Sequence, residues 1–438
     1  MSTSASSIPS GLSLRANFSW TFVSNVVYAG CQWGMLVALA KLGSPEMVGQ
    51  FALGLAIAAP VMMFASLKMR LVQATDAKHE YQFGDYFGLR LITTTLALLI
   101  ITGIVLVAGY HRETTLVILT VGVAKALESI SDVFYGLLQR YDRMDFIAKS
   151  MMIKGPLSLV ALSVGVYLTG RVFWGTIGLV VTWALTLIGY DIRSGALILK
   201  HVLQPDGLVP NKGHPGARWR PTWDMKALAS LAWFALPLGF VVMLSSLHSN
   251  IPRYFVERYL GESELGIFAA LAYFHRSGNI VVKALGHSAS SRLSQYYAAG
   301  NSSAFRTLLL KLAGIGVLLG GASVLVALVA GHEILTLLYQ PEYARQDIFV
   351  RLMVAAGMTY VTSFLIYGVT AARYFRVQML LYAVVTGILV LACMFLIPSD
   401  GLRGAATALI LAGGVQASGS IIITVPVLLA LHRQVGRE

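Results

Sequence analysis

Three charged residues, Lys125, Glu128 and Asp132, lie within the otherwise apolar segment 115–138. In an α-helix their spacing of three, four and seven residues places all three side chains on one face. If the segment crosses a membrane, each charge costs roughly 2.5–3.5 kcal/mol on the insertion scale unless it is paired or hydrated. Such a stripe therefore indicates either a functional site or a structural ion-pair network.

A fourth charge of the same kind, Arg276, lies in the apolar segment 264–285, next to His275. Lys283 follows seven residues later and therefore continues the Arg276 face of a helix. An arginine can bind a phosphate group through two parallel hydrogen bonds, which makes this face a candidate anion-binding surface.

The charges of Arg276, Lys125, Glu128 and Asp132 sum to zero, and two interpretations of them stay open. In the first, the four residues form a buried network of ion pairs that only stabilises the fold. In the second, they line a hydrated cavity. There Arg276 and Lys125 bind an anionic group, while Glu128 and Asp132 titrate and couple transport to H⁺ or Na⁺.

Other polar residues in apolar segments are weaker candidates for the lining of the same cavity. Each of them taken singly is also explained by a hydrogen bond between helices or by a side chain that reaches the membrane surface. They are Asn25, Gln32, Asn250 and Arg253.

The composition indicates a membrane protein. Of 438 residues, 56% are hydrophobic and 12% are charged, whereas about a quarter of the residues are charged in soluble domains. The mean hydropathy of +0.71 agrees. Because Cys31 and Cys393 both lie in apolar runs, neither a disulfide framework nor a cysteine-based zinc site is available. We predict no resident metal or cofactor.

Long apolar runs without two-residue alternation predict helices rather than barrel strands. About 20 residues are needed to cross the hydrocarbon as a helix. We therefore predict an all-α polytopic membrane protein with twelve spans, at 18–41, 47–67, 86–108, 115–138, 146–168, 172–192, 227–250, 264–285, 307–330, 348–371, 376–397 and 404–430.

The net charge of +13 arises from basic residues dispersed among the short links, without a basic domain, so nucleic-acid binding is not expected. With a cytoplasmic N-terminus, the cytoplasmic side collects 23 Lys and Arg residues against 8 on the other side. This bias toward cytoplasmic loops predicts that both termini are cytoplasmic.

The chain repeats itself about a polar link. Residues 42–52 (LGSPEMVGQFA) resemble 260–269 (LGESELGIFA), and 135–143 (YGLLQRYDR) resemble 367–376 (YGVTAARYFR). Six spans separate the copies, an even number, so the halves are predicted to form a parallel repeat around a central cavity. The predicted division is a six-helix lobe at 1–199, a Pro- and Gly-rich cytoplasmic linker at 200–226 and a second six-helix lobe at 227–438.

Motifs for known enzyme chemistry are missing from the sequence. It contains no GxxxxGK[ST] loop for ATP, no HExxH metal motif and no GxSxG nucleophile motif. The sequence therefore predicts a secondary transporter rather than an enzyme.

The link LGxxExxGxF after the first span, its echo at 260–269, and FYGLLQR leading to Arg143-Met144-Asp145 carry a family resemblance. The sequence resembles the polysaccharide-export (Wzx-type) flippases of the multidrug/oligosaccharidyl-lipid/polysaccharide exporter superfamily. The resemblance implies twelve helices in two lobes around a cationic cavity. It also implies transfer of undecaprenyl-pyrophosphate-linked oligosaccharide, an O-antigen, capsule or exopolysaccharide unit, to the outer leaflet of the bacterial inner membrane.

The resemblance further implies ion-coupled alternating access, contact with membrane lipids, and a polysaccharide polymerase and glycosyltransferases as pathway partners. The sequence departs from the purely cationic cavity of this family at Glu128 and Asp132, because these residues place negative charge beside it. Three alternatives stay open: a multidrug or cation antiporter of the same superfamily, a membrane glycosyltransferase or polymerase, and a scaffold for a polysaccharide assembly complex.

Overall fold

The computed structural model describes residues 12–76, 80–203, 220–372 and 374–435, in which all regular secondary structure is helical. Two short irregular helical turns interrupt the α-helices, a π-helical turn at Leu187–Asp191 and a 3₁₀ turn at Pro341–Tyr343. The α-helices are α1 (Leu14–Leu42), α2 (Pro45–Ser66), α3 (Met69–Thr75), α4 (Phe83–Ala108), α5 (Arg112–Arg140), α6 (Met144–Thr169), α7 (Val172–Thr186), α8 (Ile192–Leu203), α9 (Met225–Ala298), α10 (Ser302–Leu338), α11 (Gln346–Ala371), α12 (Phe375–Asp400) and α13 (Leu402–Val435).

Ten helical segments of the described residues are long and apolar enough to cross a membrane by length and composition. One of them is α9, whose 74 residues contain two spans on either side of Gly261, which has a φ of 84°. The charged stripe makes α5 less apolar, but its 29 residues are long enough to span. The predicted all-α architecture with twelve membrane-length segments is therefore confirmed for the described part of the chain.

The repeated motifs lie at equivalent helix ends. Gly43 ends α1, and Gly261 separates the two spans of α9, so each Leu-Gly link joins the first and second spans of its half. Only glycine adopts the positive φ of Gly261 readily. The motif at 135–143 closes α5, and the motif at 367–376 covers the end of α11, the fourth span of each half. This order of helix ends agrees with the predicted repeat.

The chain divides into two compact units, unit 1 up to Ser249 and unit 2 from Asn250. The division falls inside α9, because the first part of this helix packs in unit 1. Leu228, Leu231 and Ala235 are buried in one apolar cluster with Leu67 and Phe83. The predicted lobe limits at 199 and 227 follow the repeat instead, and as functional lobes they stay a prediction.

The segment before α9 is held against the start of α4. The backbone N–H of Thr222 donates to the Gly84 carbonyl at 3.0 Å, and the Thr222 hydroxyl donates to the Asp85 carboxylate. A Cβ atom at Gly88 would overlap the carbonyl oxygen of Thr222. Glycine at this position therefore lets the segment lie directly on the helix.

In unit 2, the glycines of α10 allow close packing on α11. A Cβ atom at Gly316 would lie 3.0 Å from the Cα atom of Val361, and one at Gly320 would lie 2.6 Å from that of Gly357. Gly316 and Gly320, four residues apart, therefore form a GxxxG pair that lets the two helices pack closely.

Candidate functional site

The charged stripe of α5 forms as predicted, and its first two members are paired. Lys125 Nζ donates to Glu128 Oε2 at 2.7 Å, and the Tyr28 hydroxyl on α1 donates to Glu128 Oε1 at 3.1 Å. The Lys125 and Glu128 side chains are both partly exposed.

Asp132, the third member of the stripe, lies between two arginines. Arg70 Nη1 of α3 is 3.4 Å from Asp132 Oδ1, and Arg90 Nη2 of α4 is 3.6 Å from Asp132 Oδ2. Arg90 is completely buried and also donates to the Ser129 hydroxyl at 3.1 Å. The sequence analysis counted both arginines on the cytoplasmic side and did not select Arg90, whose guanidinium is enclosed by helices.

A second ion pair, which the sequence analysis did not predict, lies beside the stripe. Lys154 of α6 and Asp191 of the π-helical turn are 2% and 1% exposed, with Nζ 3.5 Å from Oδ2. Lys154 Nζ also donates to the Ser131 hydroxyl at 3.1 Å and to the Tyr135 hydroxyl at 3.2 Å. Ser150 donates to the other oxygen of Asp191. Each residue of this pair therefore has an opposite charge and hydrogen-bond partners inside the helix bundle.

Aromatic rings connect the two pairs. Lys125 Nζ lies 5.3 Å from the ring centroid of Trp183, and Lys154 Nζ lies 5.9 Å from the same ring system. The Trp183 ring is fixed by its Nε1–H, which donates to the Ser158 hydroxyl at 2.7 Å. A cation over an aromatic face is stabilised by the ring's negative π density, more strongly where water is excluded. The ammonium groups of Lys125 and Lys154 are therefore both stabilised by the Trp183 ring.

We call these seven charged residues the N-terminal charge network: Arg70, Arg90, Lys125, Glu128, Asp132, Lys154 and Asp191. Four are basic and three are acidic, so the network carries a formal charge of +1. The four charges of the sequence analysis included Arg276, whose side chain lies outside the described residues, so that set stays a prediction. An excess positive charge among membrane-length helices can be neutralised by an anionic ligand.

The motif that carried the family resemblance positions this network. Gln139 Oε1 accepts from Arg70 Nε at 3.0 Å, and Arg140 Nη2 donates to the Asp76 carbonyl at 2.6 Å. Arg143 forms two hydrogen bonds of 2.9 Å to Asp145. These bonds raise the pKa of Arg143, which lies between α5 and α6. The motif residues therefore fix the end of α5 and the arginine of α3.

The predicted residues of α1 differ in exposure. Asn25 is exposed, whereas Gln32 is half-buried and hydrogen-bonds to the side chain of Tyr28. Gln32 thus supports the Tyr28 hydroxyl that contacts Glu128. Asn25 makes no contact with the N-terminal charge network among the hydrogen bonds and ion pairs of the described residues.

The predicted site residues of α9 lie in unit 2. Arg253 Nη1 donates to Asn250 Oδ1 at 3.0 Å, and both side chains are buried. The carbonyl of His275 accepts from the Tyr360 hydroxyl at 3.0 Å, and Lys283 is exposed. The side chain of Arg276 lies outside the described part of the structure, so its role stays a prediction.

Of the residues that the sequence analysis missed, Lys154 had a usable signal in the sequence. Lys154 is the eleventh of 26 residues in α6, about 15 Å along the helix at 1.5 Å per residue. The criterion that selected Lys125, a charge inside an apolar run, also applies to Lys154. The sequence analysis counted Lys154 on the cytoplasmic side and did not select it as a candidate. Its pairing with Asp191 has no signal in local spacing, because 37 residues separate the two.

The fold and the charge network define a class, a multi-pass helical membrane protein with the architecture of known transporters. The lipid II flippase MurJ in an inward closed conformation superimposes with a TM-score of 0.68 at 12% identity, covering 95% of this chain and 90% of MurJ. A multidrug resistance MATE family transporter of the MOP superfamily, inward-facing, gives a TM-score of 0.63 at 15% identity, covering 97% and 96%. At these identities the likeness concerns the fold.

Sequence comparison gives the family. Residues 14–290 match the family described as polysaccharide biosynthesis protein, and the chain belongs to this family. It is also 27% identical over 392 residues to the capsular polysaccharide biosynthesis protein CapF of Staphylococcus aureus, which covers 89% of this chain and 94% of CapF. The resemblance to polysaccharide-export proteins is thus confirmed in family and in fold.

Proposed function

We propose that this protein is a flippase for undecaprenyl-pyrophosphate-linked oligosaccharide, an O-antigen, capsule or exopolysaccharide unit. It moves this lipid from the inner to the outer leaflet by alternating access. The observation that carries the proposal is the N-terminal charge network of net charge +1, set among membrane-length helices in a member of the polysaccharide biosynthesis family. The flippase fold of MurJ supports the same conclusion.

A pyrophosphate group cannot cross hydrocarbon without replacement of its hydration. Lys125 offers a partly exposed ammonium group, and breaking its 2.7 Å bond to Glu128 frees that group for an incoming anion. Arg276 is proposed as the principal contact of the headgroup, because its planar fork suits phosphate oxygens better than an ammonium group. The secondary contacts are Lys283, Arg253, His275, Asn250, Asn25 and Gln32.

The acidic residues give the transport cycle a coupling site. Glu128 and Asp132 are each held by cations that the substrate also attracts. Binding of H⁺ or Na⁺ to a carboxylate weakens its hold on its cation, and the cation then binds substrate more strongly. This reciprocity couples the ion gradient to headgroup binding without ATP.

The setting is the bacterial inner membrane, with both termini cytoplasmic. When the enclosed Arg90 and Lys154 are removed from the count, 21 Lys and Arg residues remain on the cytoplasmic side against 8 on the other. The bias that supports this orientation is therefore kept. The partners proposed for this setting are membrane lipids and the polymerase and glycosyltransferases of the same pathway.

The fold is also that of a multidrug transporter, which makes cation antiport the second candidate. Four basic residues against three acidic ones in the N-terminal charge network favour an anionic substrate over a cationic drug. The two functions therefore differ in the sign of the charge that the network stabilises.

Purified protein in proteoliposomes tests the proposal. Fluorescent undecaprenyl-pyrophosphate-linked oligosaccharide is placed in one leaflet, and its appearance in the other is followed with a membrane-impermeant quencher. We expect faster transfer than in protein-free vesicles and slower transfer for Lys125→Gln. Arg345→Gln, which removes an arginine paired with Glu264 in unit 2, is the matched control. Export of a cationic dye without any lipid transfer would overturn the proposal in favour of antiport.

A further inference from the structure

Within the described part of the chain, the buried side chain of Arg90 has hydrogen-bond donors without a partner. Its side chain is completely buried, and its Nε and Nη2 atoms have no hydrogen-bond partner among the described residues. One bond to the Ser129 hydroxyl and a 3.6 Å ion pair with Asp132 are its contacts to polar side chains. A buried guanidinium with unused donors is costly unless another group completes its hydrogen bonds.

Asp132 lies farther from its two arginines than Glu264 lies from Arg345. Its ion-pair distances are 3.4 Å to Arg70 and 3.6 Å to Arg90. The carboxylate of Glu264, by contrast, accepts two bonds of 2.7 and 2.8 Å from Arg345. Charge-assisted bonds are strongest at about 2.7–2.9 Å. The single Asp132 carboxylate therefore offsets only part of the charge of the two guanidinium groups, and it leaves Arg90 Nη2 without a hydrogen bond.

Two residues of this cluster, Arg70 and Asp132, are partly exposed, and the third, Arg90, is enclosed. Arg70 and Asp132 are 31% and 32% exposed, whereas Arg90 forms the closed wall. Gln139 holds Arg70 by its Nε atom, and the Arg70 guanidinium lies 5.5 Å from the Tyr135 ring centroid. A group that enters from the open side and displaces the Asp132 carboxylate meets two guanidinium groups held in place.

We propose that Arg70 and Arg90 form a binding site for a phosphate or pyrophosphate group, in which the Asp132 carboxylate is the built-in competitor that occupies the site when no ligand is bound. The guanidinium fork accepts carboxylate and phosphate oxygens in the same geometry. A phosphate offers three or more oxygens, enough to satisfy the unused Arg90 donors as well. This site is distinct from the Lys125–Glu128 pair, whose 2.7 Å bond is already short.

The inference deepens the proposed function, on which it rests for the identification of the lipid headgroup as the physiological ligand. Anion binding itself is measured without transport. If the protein binds pyrophosphate as described but transfers no lipid, the proposed function fails and the site stands. If lipid is transferred but the variants below leave binding unchanged, the site fails and the function stands.

The test is pyrophosphate binding to the purified full-length protein by isothermal titration calorimetry. We expect Asp132→Asn to tighten binding by about tenfold or more, because a like charge is removed within a few ångströms of the ligand. Arg70→Gln should weaken binding by a similar factor. Arg90→Gln is avoided as the main variant because it leaves a polar group buried, and size-exclusion profiles verify that each variant is folded.

Two matched controls separate the site from general electrostatics. Glu264→Gln removes a carboxylate and Arg345→Gln removes a half-buried arginine, both from one ion pair in unit 2. Both should leave the affinity within about twofold of the parent protein. An equal gain for Glu264→Gln and Asp132→Asn, or no change for Asp132→Asn and Arg70→Gln, would overturn the proposal.

A second arm distinguishes the source of the phosphate. The same variants are measured in nanodiscs that contain undecaprenyl pyrophosphate, with soluble pyrophosphate as competitor. Tighter binding of the lipid to Asp132→Asn, with displacement by soluble pyrophosphate, identifies the headgroup as a ligand of this site. Tighter binding of soluble pyrophosphate alone identifies a free phosphate compound as the ligand and supports the site equally.

Discussion

Lys154 Nζ lies 3.5 Å from Asp191 Oδ2, although the two residues are 37 positions apart and almost completely buried. Each side chain is the counter-charge of the other in a region from which solvent is excluded. Ser131, Ser150 and Tyr135 complete the hydrogen bonds of the pair. A charge enclosed in this way can be removed safely only together with its partner.

Lys154→Met should therefore destabilise the protein, because Asp191 is left as an unpaired buried charge. Breaking a buried pair on one side costs about 3–5 kcal/mol. Thermal unfolding in detergent measures the loss. The double variant Lys154→Met/Asp191→Asn should recover most of it, and an unfolding temperature as low as that of the single variant would contradict the pairing.

Glu128→Gln should change the dependence of lipid transfer on pH or on Na⁺, since the amide cannot take up a coupling ion. Glutamine keeps the volume of the side chain and can still accept the hydrogen bond from Tyr28. Transfer rates are measured in proteoliposomes across a pH series, with and without Na⁺. Glu264→Gln in unit 2 is the control, and an unchanged ion dependence for Glu128→Gln would assign that residue a structural role only.

Arg276→Gln should give a folded protein that transfers no lipid-linked oligosaccharide, because the headgroup loses its principal contact. A structural role predicts instead that the single variant is unstable and that adding Glu128→Gln restores both folding and transport. The comparison of both single variants and the double variant, with expression levels measured, decides between them. Recovery of transport in the double variant would contradict headgroup binding.

Much of the fold was predictable because each span repeats one physical requirement, an apolar helix long enough to cross hydrocarbon. The segment α9 agrees with this requirement. Its two predicted spans, 227–250 and 264–285, lie on either side of Gly261, where the backbone leaves the helical conformation. Apolar composition does not predict how closely one helix follows the other.

The candidate site was predictable only along single helices. The stripe of Lys125, Glu128 and Asp132 follows from helical periodicity, and the structure places it on one face. The contacts of Arg70 and Arg90 with Asp132 join α3, α4 and α5 over 62 and 42 positions of the chain. Contacts of this kind depend on how helices pack, and the spacing of residues within one helix does not contain that information.

Reporter fusions at residue 212 and at the C-terminus should show cytoplasmic activity only. The prediction follows from the excess of Lys and Arg on the side that carries both points. Paired alkaline phosphatase and fluorescent protein fusions provide opposite signals for the two sides of the membrane. Phosphatase activity at either point would overturn the number of spans as well as the orientation.

Gly88→Ala should destabilise the protein, although alanine is the better helix former. The added Cβ atom would overlap the carbonyl oxygen of Thr222. Gly103→Ala in the same helix is the control, because nothing lies within 4 Å of its Cβ position. The control should be neutral or stabilised by up to about 1 kcal/mol. Equal unfolding temperatures for the two variants would show that the contact at Thr222 contributes nothing.

The burial of Leu228, Leu231 and Ala235 in the core of unit 1 has a consequence for recombination between relatives. A chimera with its crossover in the polar link 200–226 joins the first half of one parent to core side chains of the other. Side chains of mismatched shape then meet inside a single packed cluster, where adding or removing one methylene group already changes the stability. A crossover at the boundary between Ser249 and Asn250 keeps each core from one parent, so libraries of exchanged halves should retain folded members far more often there.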